Sequence, residues 1–306
     1  MFKQSIRFFL PFIILLALLL LISGCQNSAQ PYAGFTALYF SDTQADPATG
    51  DYTAWGKLLA AALEQSPQTR LILFGGDTVN DGGDENEWSE FWQASAKNLS
   101  NLTTAAVAGN HDSHDLLAQQ FTYPQQTPPV LGEGFFYSFD LAQVHFIMLD
   151  SNIMGAARQP DIEWLRADLQ SAAAQDAKWR IAVMHHPLWP VLPNPKDVQR
   201  AATMREYFLP LLETYGVDLV LTGHQHVYAR SLPQSTAAFA DTEGIVQIMA
   251  ASGEKGYSFV ADENPSVSSA PAPNYVLLQV DTTTITITAY NELGEILDTW
   301  RLNSDS

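Results

Sequence analysis

Val217-Asp218-Leu219-Val220-Leu221-Thr222-Gly223-His224-Gln225-His226 is the stretch that decides how this chain is read. Its first five residues are an apolar run of strand length, the signature of a buried strand. Gly223 permits a sharp turn after it, and two histidines at i, i+2 let two imidazoles from one short loop approach one point. Taken alone, the last four residues read as a loop that happens to hold two histidines. Four other segments repeat the pattern of an apolar run ending in a turn with metal-competent side chains. Phe35 to Phe40 leads to Ser41-Asp42-Thr43-Gln44, and Leu71 to Phe74 to Gly75-Gly76-Asp77. Ala105 to Ala108 leads to Gly109-Asn110-His111-Asp112, and Ile181 to Met184 to His185-His186-Pro187. In α/β proteins the loops after strand carboxyl ends gather ligands, so five loops are expected to face one crevice.

Working outward, Trp55, Leu58, Leu59, Ala62 and Leu63 form one apolar helical face. The strand Thr69 to Phe74, an acidic helix around Asp84 to Lys97 and a strand near Thr103 to Ala108 complete a β, α, β, α, β alternation. That order predicts an α/β sheet with parallel pairs and helical crossovers. A Pro-rich loop from Tyr123 to Gly132 precedes a hairpin of Phe136 to Phe139 and Val144 to Leu149. A helix over Pro160 to Ala174, the strand Trp179 to Met184 and a helix near Ala201 to Tyr215 follow. The C-terminal part reads as strands only: Ile245 to Met249, Tyr275 to Val280, Thr283 to Tyr290 and Glu295 to Arg301. Glu263 to Pro273, rich in Pro, Ser and Ala, reads as a mobile loop. Nothing divides residues 34–303, which are expected to form a single domain.

The start of the 306-residue chain has another character. Lys3 and Arg7 precede an apolar stretch from Phe8 to Ile22 that ends in Leu21-Ile22-Ser23-Gly24-Cys25. A charged front and apolar middle are the marks of a secretion signal. The end resembles the lipobox of bacterial lipoproteins, which implies a leader over residues 1–24, lipidation of Cys25 and a tether over 25–33. A single transmembrane anchor is the other reading, but the run is short of the roughly 20 residues that a span needs. Cys25 is the only cysteine, so a core of ordinary size must hold an exported domain without internal disulfides. The 15 Lys and Arg stand against 33 Asp and Glu, a net charge of −18; losing Lys3 and Arg7 with a leader brings it near −20 (13 − 33). Such a surface repels polyanions, which excludes nucleic acid as the main partner.

The loops assemble Asp42, Gln44, Asp77, Asn110, His185, His224 and His226. Carboxylates, imidazoles and amide oxygens without a thiolate suit hard or borderline ions. They are too many for one tetrahedral ion, and two ions sharing one carboxylate would use them all. In chain order the five loops resemble the calcineurin-like metallophosphoesterases, a superfamily that includes purple acid phosphatases. The family's D-x-H, GD, GNH[DE], H and GHxH stand here as Asp42-Thr43-Gln44, Gly76-Asp77, Gly109 to Asp112, His185-His186-Pro187 and Gly223 to His226. Phe136 to Ser151 and Gly223 to Ser231 resemble the purple acid phosphatase branch in particular.

The resemblance implies a four-layer α/β/β/α sandwich of two mixed sheets flanked by helices. It implies that Asp42, Gln44 and His226 hold one ion and Asn110, His185 and His224 a second, with Asp77 bridging. The ions would be divalent or trivalent, Mn, Fe or Zn, and a water activated between them would hydrolyse a phosphoester. His111 would protonate the leaving alkoxide or stabilise the phosphoryl oxygens, with Asp112 orienting its ring. Two departures stand out. Gln44 occupies a usual histidine position, and Asn80 stands where purple acid phosphatases carry a tyrosine three residues after the bridging aspartate.

Other groups read more plainly. His145 is expected to be a hydrogen-bonded sheet residue, and His114 and Asp115 to open a helix capped by Ser113. Asp81, Asp84, Glu85 and Glu87 read as a solvated helix start. His186 is either structural or faces substrate, while Lys255 and Tyr257 are expected to border the pocket and contact phosphate. Few basic residues lie near the motifs, which argues against highly charged substrates. The expected protein is thus an exported, lipid-anchored phosphoester hydrolase bound to a membrane through Cys25. The rival reading is a lipid-anchored scaffold whose first metal site is incomplete at Gln44. A serine hydrolase is a distant third, since no G-x-S-x-G elbow occurs.

Overall fold

Phe35–Phe40 (β1) is buried along its whole length, because its two faces meet different layers. Phe40 packs edge-on against Trp55 of helix α1 (Thr53–Gln65), ring centroids 4.9 Å apart. Phe35 turns the other way, toward Phe146 of a second sheet, at 6.4 Å. A strand covered on both sides carries a continuous apolar run, which is why β1 shows no polar alternation. The computed structural model describes residues 34–46, 48–121, 123–124, 135–152, 159–192, 194–236, 244–257 and 267–304. The expected leader, Cys25 and the tether lie outside them, as does most of the loop expected between residues 123 and 132.

The first sheet adds β2 (Thr69–Phe74) and β3 (Thr103–Ala106) in parallel to β1. On the other edge of β1 run three antiparallel strands, β11 (Asn274–Val280), β12 (Thr284–Asn291) and β13 (Ile296–Asn303). The order is therefore β13-β12-β11-β1-β2-β3. Helix α2 (Glu85–Leu99) joins α1 on its outer face, with Phe91 stacked on Trp55 and edge-on to Phe74. The second sheet holds the hairpin β4 (Tyr137–Leu141) and β5 (Val144–Met148), then β6 (Trp179–Val183), β7 (Leu219–Thr222), β8 (Val227–Arg230), β9 (Val246–Met249) and β10 (Val267–Pro271). Its order is β10-β8-β9-β7-β6-β5-β4, with β5, β6, β7 and β9 parallel.

Alternation along the central strands separates two cores. Ile181, Val183, Leu219 and Leu221 point into the core between the sheets. Ala182, Val220, Ile147 and Leu149 join Leu165, Leu169, Met204 and Leu212 from the helices on the far side. The result is two mixed sheets between helical layers, the four-layer α/β sandwich expected. Arg230 and Tyr228 of β8 both bond Asp298 of β13, tying the sheets together at one end.

Four expectations need correction. The helix expected over Pro160 to Ala174 is two, α4 (Gln159–Leu169) and α5 (Ala172–Asp176), because extended Ser171 caps the second by accepting from the Ala174 amide. The helix expected near Ala201 to Tyr215 starts earlier and breaks, giving α6 (Pro195–Tyr207) and α7 (Leu209–Thr214). Asn194 caps α6 on the Lys196 amide, and Pro210, lacking an N–H, suits a fresh first turn but not a helix interior. Ser113 precedes α3 (His114–Gln120) without a side-chain capping bond. Part of the segment expected to be a mobile loop is strand β10, paired antiparallel to β8.

Candidate metal centre

The loops after β1, β2, β3, β6 and β7 meet at one end of the sandwich, and their backbones are bent to do so. Asp42, Asp77, His224 and His226 all adopt left-handed conformations, with φ of 51°, 50°, 73° and 49°. Non-glycine residues held there cost of order 1 kcal/mol each, so surrounding contacts must impose them. Asp42 is fixed at Oδ2, which accepts from Ser41 Oγ at 2.7 Å and the His224 amide at 2.8 Å. Its Oδ1 has no hydrogen-bond partner and lies 3.4 Å from His226 Nε2. Asp77 accepts the His111 amide at Oδ1, 2.8 Å, and sets Oδ2 3.4 Å from His185 Nε2. Gly223 owes its place to close approach rather than to a left-handed turn. A Cβ there would lie 1.9 Å from Ser41 Oγ and 2.3 Å from Asp42 Oδ2.

Each imidazole is clamped at one nitrogen. His185 Nδ1 donates to the Gly75 carbonyl and His226 Nδ1 to the Lys255 carbonyl, both at 2.9 Å. His224 Nε2 donates to Asp197 of α6 at 3.0 Å, and His186 Nδ1 meets Ser151 Oγ at 2.8 Å. Metal-binding histidines are ordinarily held this way, the second nitrogen fixing ring and tautomer for the first. Donor atoms of Asp42, Asp77 and His185 lie within 4.8 Å of one another, and so do those of His185, His186 and His224. Buried atoms without hydrogen-bond partners include Asp42 Oδ1, Gln44 Oε1 and His185 Nε2. Two of these atoms, Asp42 Oδ1 and His185 Nε2, belong to residues that share one such group, and oxygen and nitrogen donors without a thiolate fit hard or borderline divalent cations.

The electrostatics agree. Burial alone would raise the Asp77 carboxyl, but His185 beside it and the His111 amide hold it well below the usual carboxylate range. Burial would lower His185; Asp77 and Asp42 outweigh it and carry the ring to about 9. Burial and the nearby Asp77 charge push Asp112 up to about 7. Burial and the neighbouring His185 lower His224. An imidazole drawn to keep its proton between two carboxylates marks a spot that favours positive charge.

The expected roles shift at several residues. Asp112 does not orient the His111 ring, whose Nδ1 donates to the Asn80 carbonyl at 2.6 Å. Asp112 instead accepts the Thr78 and Gly109 amides, stapling the loops after β2 and β3. Asn80 turns its side chain away from the cage, to Ala45 and Glu87. Glu87 is no solvated helix residue, since it also accepts from the Asn80 and Asp81 amides and Tyr52 Oη. Asp84 does cap α2, accepting from the Asn86 amide. His114 pairs with Asp150 at 3.2 Å, and His145 is bracketed by Asp140 and Asp168 far from the cage. Lys255 contributes its carbonyl, while its ammonium sits over the Tyr257 ring at 5.6 Å. Tyr257 packs on His226 and lines a cavity of about 490 Å³ with Asn110, His186 and His224.

That cavity overturns the expectation that few cations stand near the motifs, because Lys196 and Arg200 of α6 also line it. Sequence reading missed them, along with Asp197 and Ser151. A first helical turn bearing Asp197 behind the cap Asn194 looks like any solvated helix start.

The family model for calcineurin-like phosphoesterases matches residues 35–228. The chain belongs to that family. Purple acid phosphatase 1 of Ipomoea batatas is 27% identical over 192 residues, covering 58% of this chain and 40% of that protein. The chain spans less than half the length of the curated relatives it matches first. Among solved structures, a purple acid phosphatase from yellow lupin seeds superposes with a TM-score of 0.74 at 17% identity, over 89% of this chain and 54% of that one. GAP50, described as the anchor in the inner membrane complex of Plasmodium, superposes at 0.68 and 17%, over 89% and 90%. At those identities the likeness is one of fold. The calcineurin-like phosphoesterase family is thus where both the cage and the sandwich belong.

Proposed function

We propose that this calcineurin-like phosphoesterase is a metal-dependent phosphoester hydrolase, exported and anchored to a bacterial membrane through lipidated Cys25. One observation carries the hydrolase reading. Distant loops bond one another around orphaned donors, as where the Asp42 carboxylate accepts the backbone N–H of His224, 182 residues away. Asp42, Gln44 and His226 would hold one ion and Asn110, His185 and His224 another, with Asp77 shared. Bound there, ions such as Mn, Fe or Zn would supply Lewis acidity and lower the pKa of water from 15.7 toward about 7.

The chain's own groups supply the rest. His111 is exposed and held through Nδ1–H by the Asn80 carbonyl, and as the doubly protonated imidazolium it would give the proton on Nε2 to the departing alkoxide oxygen. Asp112 keeps Gly109 and Thr78 in place, so the loops bearing His111 and Asp77 stay in register. Tyr257 and Leu192 offer the apolar part of the cavity wall to the alcohol of the substrate.

The test uses detergent-solubilised full chain. Near two equivalents of metal and turnover of p-nitrophenyl phosphate or its diester, lost to a chelator and restored by metal, are expected. One or no equivalent without turnover would instead support the scaffold reading, which the substitution at Gln44 and the fold shared with an anchor protein favour. The buried, partnerless Gln44 Oε1 supports the first reading, because an amide oxygen so placed is a ready ligand. For the anchor, Cys25→Ser is expected to move the chain from the membrane to the soluble fraction.

A further inference from the structure

The helix α6 is docked onto the cage by its first turn. Asp197 places Oδ1 on His224 Nε2 at 3.0 Å and accepts Gln225 Nε2 at Oδ2, 2.8 Å. Lys196 and Arg200, four residues apart, share one helix face, about one turn or 5.4 Å along the axis. Both line the cavity that also reaches Asn110, His186 and His224. Among the described residues neither is ion-paired with a carboxylate. The carboxylates nearest Arg200 are engaged elsewhere: Asp197 as above, and Asp150 with His114, the Phe135 amide and the Asn152 amide. One guanidinium nitrogen of Arg200 donates to the Ser151 carbonyl at 3.3 Å. Burial lowers Arg200, and the charges of Asp197 and Asp150 act against that shift. In a chain with 15 basic and 33 acidic residues, two cations stand in one pocket wall, where the carboxylate that also lines it, Asp197, is held by His224 and Gln225.

We propose that Lys196 and Arg200 form an anion subsite beside the metal cage, selecting small organic phosphates whose alcohol carries a second anionic group such as a carboxylate. The proposal rests on the hydrolase reading above and gives it a substrate class. The cage and the two cations border one cavity, so a single small ester with both anionic groups on a short carbon chain meets both. A cavity of about 490 Å³ accommodates a molecule of that size.

The matched probes are 3-phosphoglycerate and glycerol 3-phosphate, which differ in a carboxylate against a hydroxymethyl group. For the metal-loaded full chain, kcat/KM is expected to favour 3-phosphoglycerate by roughly ten-fold or more, the factor that one good charged contact gives. The ratio is expected to shrink with added salt. In Lys196→Gln/Arg200→Gln it is expected to fall near one, chiefly through KM for the carboxylated ester. Lys196→Gln alone, at an exposed position, lowers it in part and guards against a folding artefact. A wild-type ratio near one, or a ratio that survives the double substitution, would overturn the subsite. Should neither ester be hydrolysed, turnover of p-nitrophenyl phosphate or its diester decides the hydrolase reading on its own. Calorimetric Kd values for the two esters then read the subsite directly: the same preference, abolished in the double variant, upholds it, and equal affinities overturn it.

Discussion

Asp42, Asp77, His185, His224 and His226 reach the cage from four separate loops across most of the domain, whereas Lys196, Asp197 and Arg200 face it from two turns of one helix. The scattered set was visible in the sequence and the contiguous set was not. A loop that must turn sharply, approach another backbone closely and end in a donor admits few residue types, so it leaves a short, repeated signature. A helix face lining a pocket obeys the same 3.6-residue period as one facing water, and its function leaves no separate trace. Constraint on the backbone, rather than closeness in the chain, made residues legible.

The comparison can be broken at its cage side first. Asp77→Asn is expected to lower kcat/KM by more than about 10³-fold and to leave fewer than two metal equivalents by elemental analysis. His111→Ala is expected to cost about 10²–10³-fold in kcat while both equivalents stay bound. Full activity in that variant would remove His111 from the role of acid. On the wall side, Asp197→Asn is expected to weaken metal binding by roughly 10–100-fold in a titration of the apo chain, since it frees the His224 ring. Unchanged affinity would confine Asp197 to helix docking.

The smallest effect is expected far from both regions, at His145. Burial opposes its charge, but Asp168 and Asp140 outweigh that and raise its pKa. A raised folded pKa stabilises most below the unfolded value near 6.5, and the gain fades as pH climbs through the folded value. His145→Phe should therefore destabilise more at about pH 5.5 than at about pH 8.5 in chemical denaturation. Equal losses would show that the two aspartates hold the ring by hydrogen bonds alone.

The parallel strands and helices α1 and α2 were legible because their apolar periods are long and clean. The break at Ser171 was not, since a serine within a helical pattern reads as one more polar position until its capping bond is seen. Strand β10 hid in a Pro- and Ser-rich segment because its β character comes from pairing with β8 rather than from its residues. In the cage, residue types announced which side chains would gather, but not which partner each would choose. His111 and Asp112 are adjacent in sequence, yet the turn between them sends the ring to Asn80 and the carboxylate to two amides. Glu87 showed the same limit, a charge read as solvated that gathers four donors across two loops.

The left-handed backbones at Asp42, Asp77, His224 and His226 bear on any effort to harden the molecule. A designer searching for gains in thermal endurance would be drawn to these four sites, where glycine would release unfavourable torsion. Each such relief would delete a candidate ligand. Toughness and cation capture are opposed at the same four residues, and a sturdier variant has to be sought elsewhere in the sandwich.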